Sequence, residues 1–170
     1  MHGGTQHENS ALAVIDLQND ITKNYREIMD KVNEAIDWAI QKELWVVYIQ
    51  HNNLSARTRT FKPGTHGAEL VPELKVASGH IFTKSKSNAL ASEAFTAFLQ
   101  QHGITELYIA GADATACIKS TCFNMAKNGY TVHVLSDCIT SYDTKKLPDM
   151  LSYYASKGCS VMTLREVMQA

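Results

Sequence analysis

The sequence lacks most of what would mark a membrane, secreted or nucleic-acid-binding protein. No stretch approaches the roughly 18 apolar residues of a membrane-spanning helix, and the first ten residues, MHGGTQHENS, lack the apolar run of a secretory signal. There is no surplus of charge: 16 Lys and Arg stand against 17 Asp and Glu, for a formal net charge of −1. Binding to a phosphate backbone needs a basic excess, so nucleic acid is not an expected partner. The four cysteines, Cys117, Cys122, Cys138 and Cys159, show no C-x-x-C or other close zinc-type spacing. In a reducing compartment they should be thiols, each either core filler or chemistry. Neither an internal repeat nor a low-complexity or Pro/Ser-rich linker interrupts the chain. The expectation is a cytoplasmic protein with no membrane partner, in which a flexible segment 1–10 precedes a single domain 11–170. A chain of 170 residues buries roughly 70% of its extended surface on folding, enough for one core without metal or disulfide staples.

What is present is a repeated alternation of short apolar runs with amphipathic stretches. The expected strands are Ala11 to Asp16, Leu44 to Gln50, His80 to Thr83, Glu106 to Ala110, Thr131 to Ser136 and Ser160 to Thr163. Most are continuously apolar, as strands covered on both faces must be. Between them, apolar residues recur at three and four positions: Tyr25 to Ile40, Leu90 to Leu99, Ile118 to Met125 and Leu147 to Tyr154. The last three patterns run into Gly103, Gly129 and Gly158, where a helix ends readily. This β-α-β punctuation predicts an α/β fold: a three-layer, doubly wound, Rossmann-like open parallel sheet of about six strands with helices on both faces. The stretch from Asn53 to Ser78, with Pro63, Gly64, Gly67 and Pro72, is the exception. A loop of that length in a small domain is usually functional, so it is a candidate cover for the active site.

Ligands of such sheets bind beyond the carboxyl ends of the strands. Read there alone, the sequence offers Asp16 after the first strand, Gln50-His51-Asn52 after the second, Thr83-Lys84 after the third, and GADATAC leading to Cys117 after the fourth. An acid, a cation and a thiol thus converge on one edge. Cys117 opens a helix, where free N–H groups and the helix dipole favour a thiolate. Lys84 would strengthen that bias, and Asp16 could accept the thiol proton and later pass it to a leaving amine. Each residue alone has a plainer role: a turn-capping Asp, a solvated Lys, a small buried Cys. Further pocket candidates are Asn19 and Asp20, His51 and Asn52, Ile118 beside the thiol, and Tyr142 after the fifth strand. His51 as the base of a Cys-His pair ranks below Asp16. His2, His7, His80, His102 and His133 have surface or structural positions.

The segments ALAVIDLQND, PGTHGAEL, TKSKSNAL and GADATACIKSTCFNMAKNGY together resemble the isochorismatase-like cysteine hydrolase superfamily, in its order and spacing. The resemblance implies a catalytic triad of Asp16, Lys84 and Cys117, an acyl-enzyme on the cysteine, release of an amine or ammonia, and hydrolysis by water. It also implies a cis peptide at Ala112-Asp113, an oxyanion hole from backbone N–H groups of Asp113 and Cys117, and self-association as a homo-oligomer. Asp113 stands where relatives often carry an apolar or hydroxyl residue, and its side chain should point away from the oxyanion or bond elsewhere. Nicotinamidases of the superfamily bind metal through Asp-x-His after the second strand. This chain has Gln50-His51-Asn52, and one imidazole without a carboxylate seldom holds a divalent ion, so neither metal nor other cofactor is expected.

The leading expectation is a metal-independent cysteine amidohydrolase acting on a small amide or ureido substrate. A vinyl-ether hydrolase of the isochorismatase type would not need Cys117, and an inactive scaffold or ligand-binding member would not need the intact triad. A dinucleotide enzyme is disfavoured because GADATAC contains no G-x-G-x-x-G.

Overall fold

The structure, a computed structural model, describes residues 9–21 and 24–170. His2, His7 and most of the expected flexible segment lie outside the described residues. Six strands form one sheet: β1 (Ser10–Ile15), β2 (Trp45–His51), β3 (Ile81–Lys84), β4 (Glu106–Gly111), β5 (Thr131–Ile139) and β6 (Ser160–Met162). Their order is β3-β2-β1-β4-β5-β6 and every pairing is parallel. The doubly wound arrangement read from the alternation is therefore present. Among the described residues five helices cover it: α1 (Met29–Gln41), α2 (Glu93–Gln101), α3 (Cys117–Lys127), α4 (Leu147–Ser156) and α5 (Leu164–Gln169).

The continuous apolar runs have the cause proposed for them. Along β1, Ala11, Ala13 and Ile15 pack into one core cluster with α2, α3 and α4, while Leu12 and Val14 pack into a second with α1 and α5. Strand residues alternate between faces, so a strand buried on both faces must be apolar at every position. Burying each large aliphatic side chain contributes about 1.5–3 kcal/mol, and both layers draw on it.

The differences from the expected elements are local. Lys84 is the last residue of β3 rather than the residue after it, and β1 begins one residue earlier than expected, at Ser10. The first helix pattern splits into a 3-10 turn at Tyr25–Glu27 and α1. A bulge between Ile109 and Gly111 shifts the pairing with β5, which runs on to Ile139. The short α5 was not expected; a capping box of Thr163 and Glu166 starts it.

Sequence order reverses between β1 and β4, and there the two strands approach closely. Gly111 has φ 120, and a Cβ on it would overlap the backbone of Ile15. Only glycine fits, and it brings Ala112 N–H within 2.9 Å of the Ile15 carbonyl. The chain segments that follow β1 and β4 are thus held side by side at one sheet edge.

Candidate active site

Asp16 follows β1 with φ 54, a left-handed conformation that aspartate tolerates better than most residues, and its N–H donates to the Ile49 carbonyl at 2.9 Å. Lys84 and His51 are register partners at the ends of β3 and β2. Cys117 is the first residue of α3. The four elements bring these side chains onto one atom. Lys84 Nζ lies 3.1 Å from Asp16 Oδ2, 2.9 Å from His51 Nδ1 and 3.3 Å from Cys117 Sγ. An ammonium has three protons to donate, and here it has three acceptors. His51 Nδ1 must then accept, which assigns the ring proton to Nε2. Buried Gln18 fixes the His51 backbone, accepting from its N–H at 2.8 Å and donating to its carbonyl at 2.9 Å.

The Lys84 side chain is 0% exposed and that of Asp16 3%, so the plain reading of a solvated lysine fails. Burial raises the Asp16 carboxyl above its ordinary value, against the opposing pull of Lys84. Burial, then Lys84, holds the His51 imidazole below its ordinary value, in keeping with a neutral ring. For Cys117 the expectation must be corrected: burial of the sulfur and the neighbouring Asp16 charge push its thiol up to about 12, outweighing Lys84. At neutral pH the sulfur rests as a thiol. Asp16 Oδ1 is buried without a hydrogen-bond partner among the described residues, an acceptor with room for a proton.

The peptide bond Ala112-Asp113 is cis. The Asp113 carboxylate bonds elsewhere, as expected: Oδ1 accepts from Thr115 N–H, Thr115 Oγ1 and Ser141 Oγ, and Oδ2 from Tyr142 N–H, all at 2.8 Å. These donors hold it below the usual carboxylate range against the opposing effect of burial. The Asp113 carbonyl accepts from Ala116 and Ile118 N–H at 3.1 and 3.0 Å. The N–H groups of Asp113 and Cys117 have no backbone acceptor among the described residues.

Against the Ala112-Asp113 peptide is a cavity of about 130 Å³ lined by Asp20, Ile21, Phe61, Ala112, Asp113, Thr140, Ser141 and Tyr142, with none of Asp16, His51, Lys84 or Cys117 on that lining. It opens where the chain leaves β1, β4 and β5, and the Phe61 ring meets that of His51 edge-on, with centroids 5.8 Å apart. Of the pocket candidates, Asp20 and Tyr142 line the cavity and His51 joins the triad. The other three belong elsewhere. Ile118 is 0% exposed in the core, because the residue after the thiol turns about 100° around the helix and away from the site. Asn52 lines a separate groove with Gln50 and Thr83, since strand alternation sends its side chain opposite to that of His51. Asn19 fastens the long loop, its side chain donating to the His66 carbonyl at 2.7 Å. Phe61, Thr140, Ser141 and Gln18 were missed; of these only Gln18, two residues beyond Asp16 in DLQND, had a sequence signal.

The long loop is anchored along its length. Asn19, Asp20 and Val71 N–H groups donate to the Glu69, Gly67 and Leu17 carbonyls at 2.9 Å, and Asp20 Oδ2 accepts from Phe61 N–H at 2.6 Å. It forms a wall of the cavity.

The model of the isochorismatase domain matches residues 10–166. The chain belongs to the isochorismatase family. Family members are hydrolases, and the chain is similar to a protein of Arabidopsis thaliana described as a "Probable inactive nicotinamidase", at 30% identity over 76% of this chain and 79% of the relative. Among solved structures, an isochorismatase-like hydrolase from Alkaliphilus metalliredigens superposes with a TM-score of 0.86 at 23% identity, covering 95% of this chain and 98% of the other. The pyrazinamidase of Pyrococcus horikoshii, solved in complex with zinc, gives 0.82 at 23% identity over 92% and 99%. At these identities the solved structures establish the isochorismatase fold.

A metal of the kind bound by that pyrazinamidase does not fit the described residues at this site. One atom each of Asp16, His51 and Cys117 lie within 4.8 Å of one another, the densest group of ligating atoms among the described residues. Lys84 Nζ already bonds all three, and its ammonium would oppose a divalent cation there. After β2 the chain supplies only the amides of Gln50 and Asn52 around His51, and exposed His66 is paired with Glu69 at 3.7 Å. Among the described residues no helix is long and apolar enough to cross a membrane.

Proposed function

We propose that this isochorismatase-family protein is a cysteine-dependent amidohydrolase that cleaves a C–N bond of a small amide or ureido substrate. The observation that carries the reading is the buried Lys84 ammonium, which bonds a carboxylate and a helix-opening thiol at once. In the first step Asp16 takes the thiol proton while Sγ attacks the carbonyl carbon, so no free thiolate need precede the substrate. The charge that develops on the carbonyl oxygen meets the N–H groups of Asp113 and Cys117. As the C–N bond breaks, Asp16 returns that proton to the departing nitrogen, leaving an acyl group on Sγ. Water then gives a proton to Asp16 and its oxygen to the acyl carbon, and Sγ leaves as a thiol once Asp16 reprotonates it. The Lys84 ammonium beside Asp16 favours its ionised form and so opposes the effect of burial.

A second reading, a family member that binds a ligand without turning it over, is favoured by one observation: the description of the Arabidopsis relative as inactive. Incubation with a panel of compact primary amides and ureido compounds, followed by ammonia release and intact mass, separates the two. The expected result is ammonia from wild type, a transient acyl adduct on Cys117, and neither from Cys117→Ala. Binding without ammonia release across the panel would establish the second reading, and turnover by Cys117→Ala would refute the nucleophile.

A further inference from the structure

The cavity against the Ala112-Asp113 peptide carries information about what it takes. Two carboxylates line it, Asp20 and Asp113, and no lysine or arginine does among the described residues. Asp113 is bonded by four donors and stays ionised. Asp20 is held against Gly67, where any Cβ would overlap its carboxylate, and its Oδ2 is occupied by Phe61 N–H. Its Oδ1 has no hydrogen-bond partner among the described residues. Phe61 and Tyr142 supply aromatic surface on the same lining, a favourable neighbour for a cation. The nearest buried cation, Lys84, is already paired with Asp16 and does not offset this charge. At about 130 Å³ the space is a little smaller than the cavity of about 150 Å³ that holds one benzene.

We infer that the site selects compact amides, about the size of a single six-membered ring, whose retained part carries a cationic or N–H-rich group directed at Asp20. The inference rests on the amidohydrolase reading for the bond that is cut, but not for the charge preference. A dicarboxylate ether of the isochorismate type would meet two carboxylates in this space. Asp20 recognises the substrate here; it does not take part in bond making.

The test uses Cys117 as a reporter, so that charge selection is read without a known substrate. Three methanethiosulfonates of similar size, bearing a quaternary ammonium, a neutral methyl ester-like group and a sulfonate, each transfer a thio group to Sγ with release of methanesulfinic acid. Modification rates are resolved to Cys117 by peptide mass spectrometry and normalised to the same reagents on free cysteine. The normalised cation-to-anion ratio should be at least about tenfold, as expected for a charged, partly enclosed site. It should shrink several-fold in Asp20→Asn, which keeps an acceptor for Phe61 N–H, and shrink in wild type as salt is raised. A ratio near one, an anion preference, or a ratio unmoved by both Asp20→Asn and salt would overturn the inference. In parallel, ammonia release is compared for cationic, neutral and anionic amides of one size. Cation-selective labelling without hydrolysis of any amide would sink the amidohydrolase reading alone; hydrolysis with anionic amides preferred would sink the charge inference alone.

Discussion

Two carboxylate–base pairs sit at opposite edges of the same parallel sheet, on different strands, and they are built differently. At the amino ends, Glu106 and His133 are partly exposed neighbours on β4 and β5. One Glu106 oxygen accepts from Ser10 Oγ at 2.6 Å, the other meets His133 Nε2 at 2.7 Å, and the His133 ring stacks on Tyr108. Both carboxylate oxygens are satisfied, and the atom left without a partner among the described residues is His133 Nδ1 on the base rather than an oxygen of the acid. At the carboxyl ends, Asp16 and Lys84 are buried, one Asp16 oxygen has no partner, and a thiol shares the ammonium. A pair in that state is costly as structure and useful as chemistry. The difference shows how one fold can hold the same kind of pair as a tie between two strands at one edge and as a buried cluster shared with a thiol at the other.

The largest expected difference between the ends is catalytic. Asp16→Asn should lower kcat/KM for any hydrolysed amide by about 10²–10⁴-fold, the range for losing a proton-transfer partner. Glu106→Gln should stay within about twofold of wild type. Steady-state kinetics on both variants would break the comparison if they lost activity alike. Stability comes next: removing one member of a buried pair should cost about 3–5 kcal/mol for Lys84→Ala, against at most about 1 kcal/mol for Glu106→Gln at its partly exposed site. Denaturant unfolding at neutral pH reads both, and equal losses would mean that the Asp16 pair is no more demanding than the other.

A third effect concerns the thiol. Because burial and Asp16 hold it near 12, iodoacetamide should alkylate Cys117 slowly at neutral pH. Asp16→Asn should move the midpoint of the rate against pH downward, since it removes a negative charge beside the sulfur. An upward movement would show that Asp16 does not act on Cys117 through its charge. The smallest effect is in the acid limb. Asp16 must be ionised to take the thiol proton, and its carboxyl is raised above 3.8; His51 accepts from Lys84 only when neutral, and its imidazole is lowered below 6.5. Activity should therefore fall as pH drops into the acid range, with two protons involved. His51→Gln, which keeps an acceptor for Lys84, should leave a limb governed by one proton. A limb unchanged in that variant would remove His51 from the site's titration.

Much of this site was legible in the sequence because strand ends are legible. Apolar runs located the strands, the carboxyl-end rule selected Asp16, Lys84 and Cys117, and the structure joins all three at one nitrogen. The errors came from ignoring periodicity at the same ends. Asn52 is one residue past His51 and so faces the other way, and Ile118 is one residue past Cys117 and so turns into the core. Phe61 had no signal, because a loop without periodicity does not reveal which of its side chains meets a distant imidazole. The thiol's ionisation was misjudged for another reason: residue types show which charges are near, but only packing shows how far water is excluded.

The anchoring of the long loop has a consequence for how such a protein diversifies. Three of the bonds that fasten it, from Asn19, Asp20 and Val71, run from backbone to backbone. Backbone groups are supplied by almost any residue, so these three bonds tolerate changes of side chain along the loop, except at Gly67, where a Cβ would overlap Asp20. The wall at Phe61 can therefore be rewritten by mutation or by transplanting a loop, while Asp16, Lys84 and Cys117 stay where the strands and α3 hold them. Recognition and reactivity are separable parts here, open to independent inheritance or redesign.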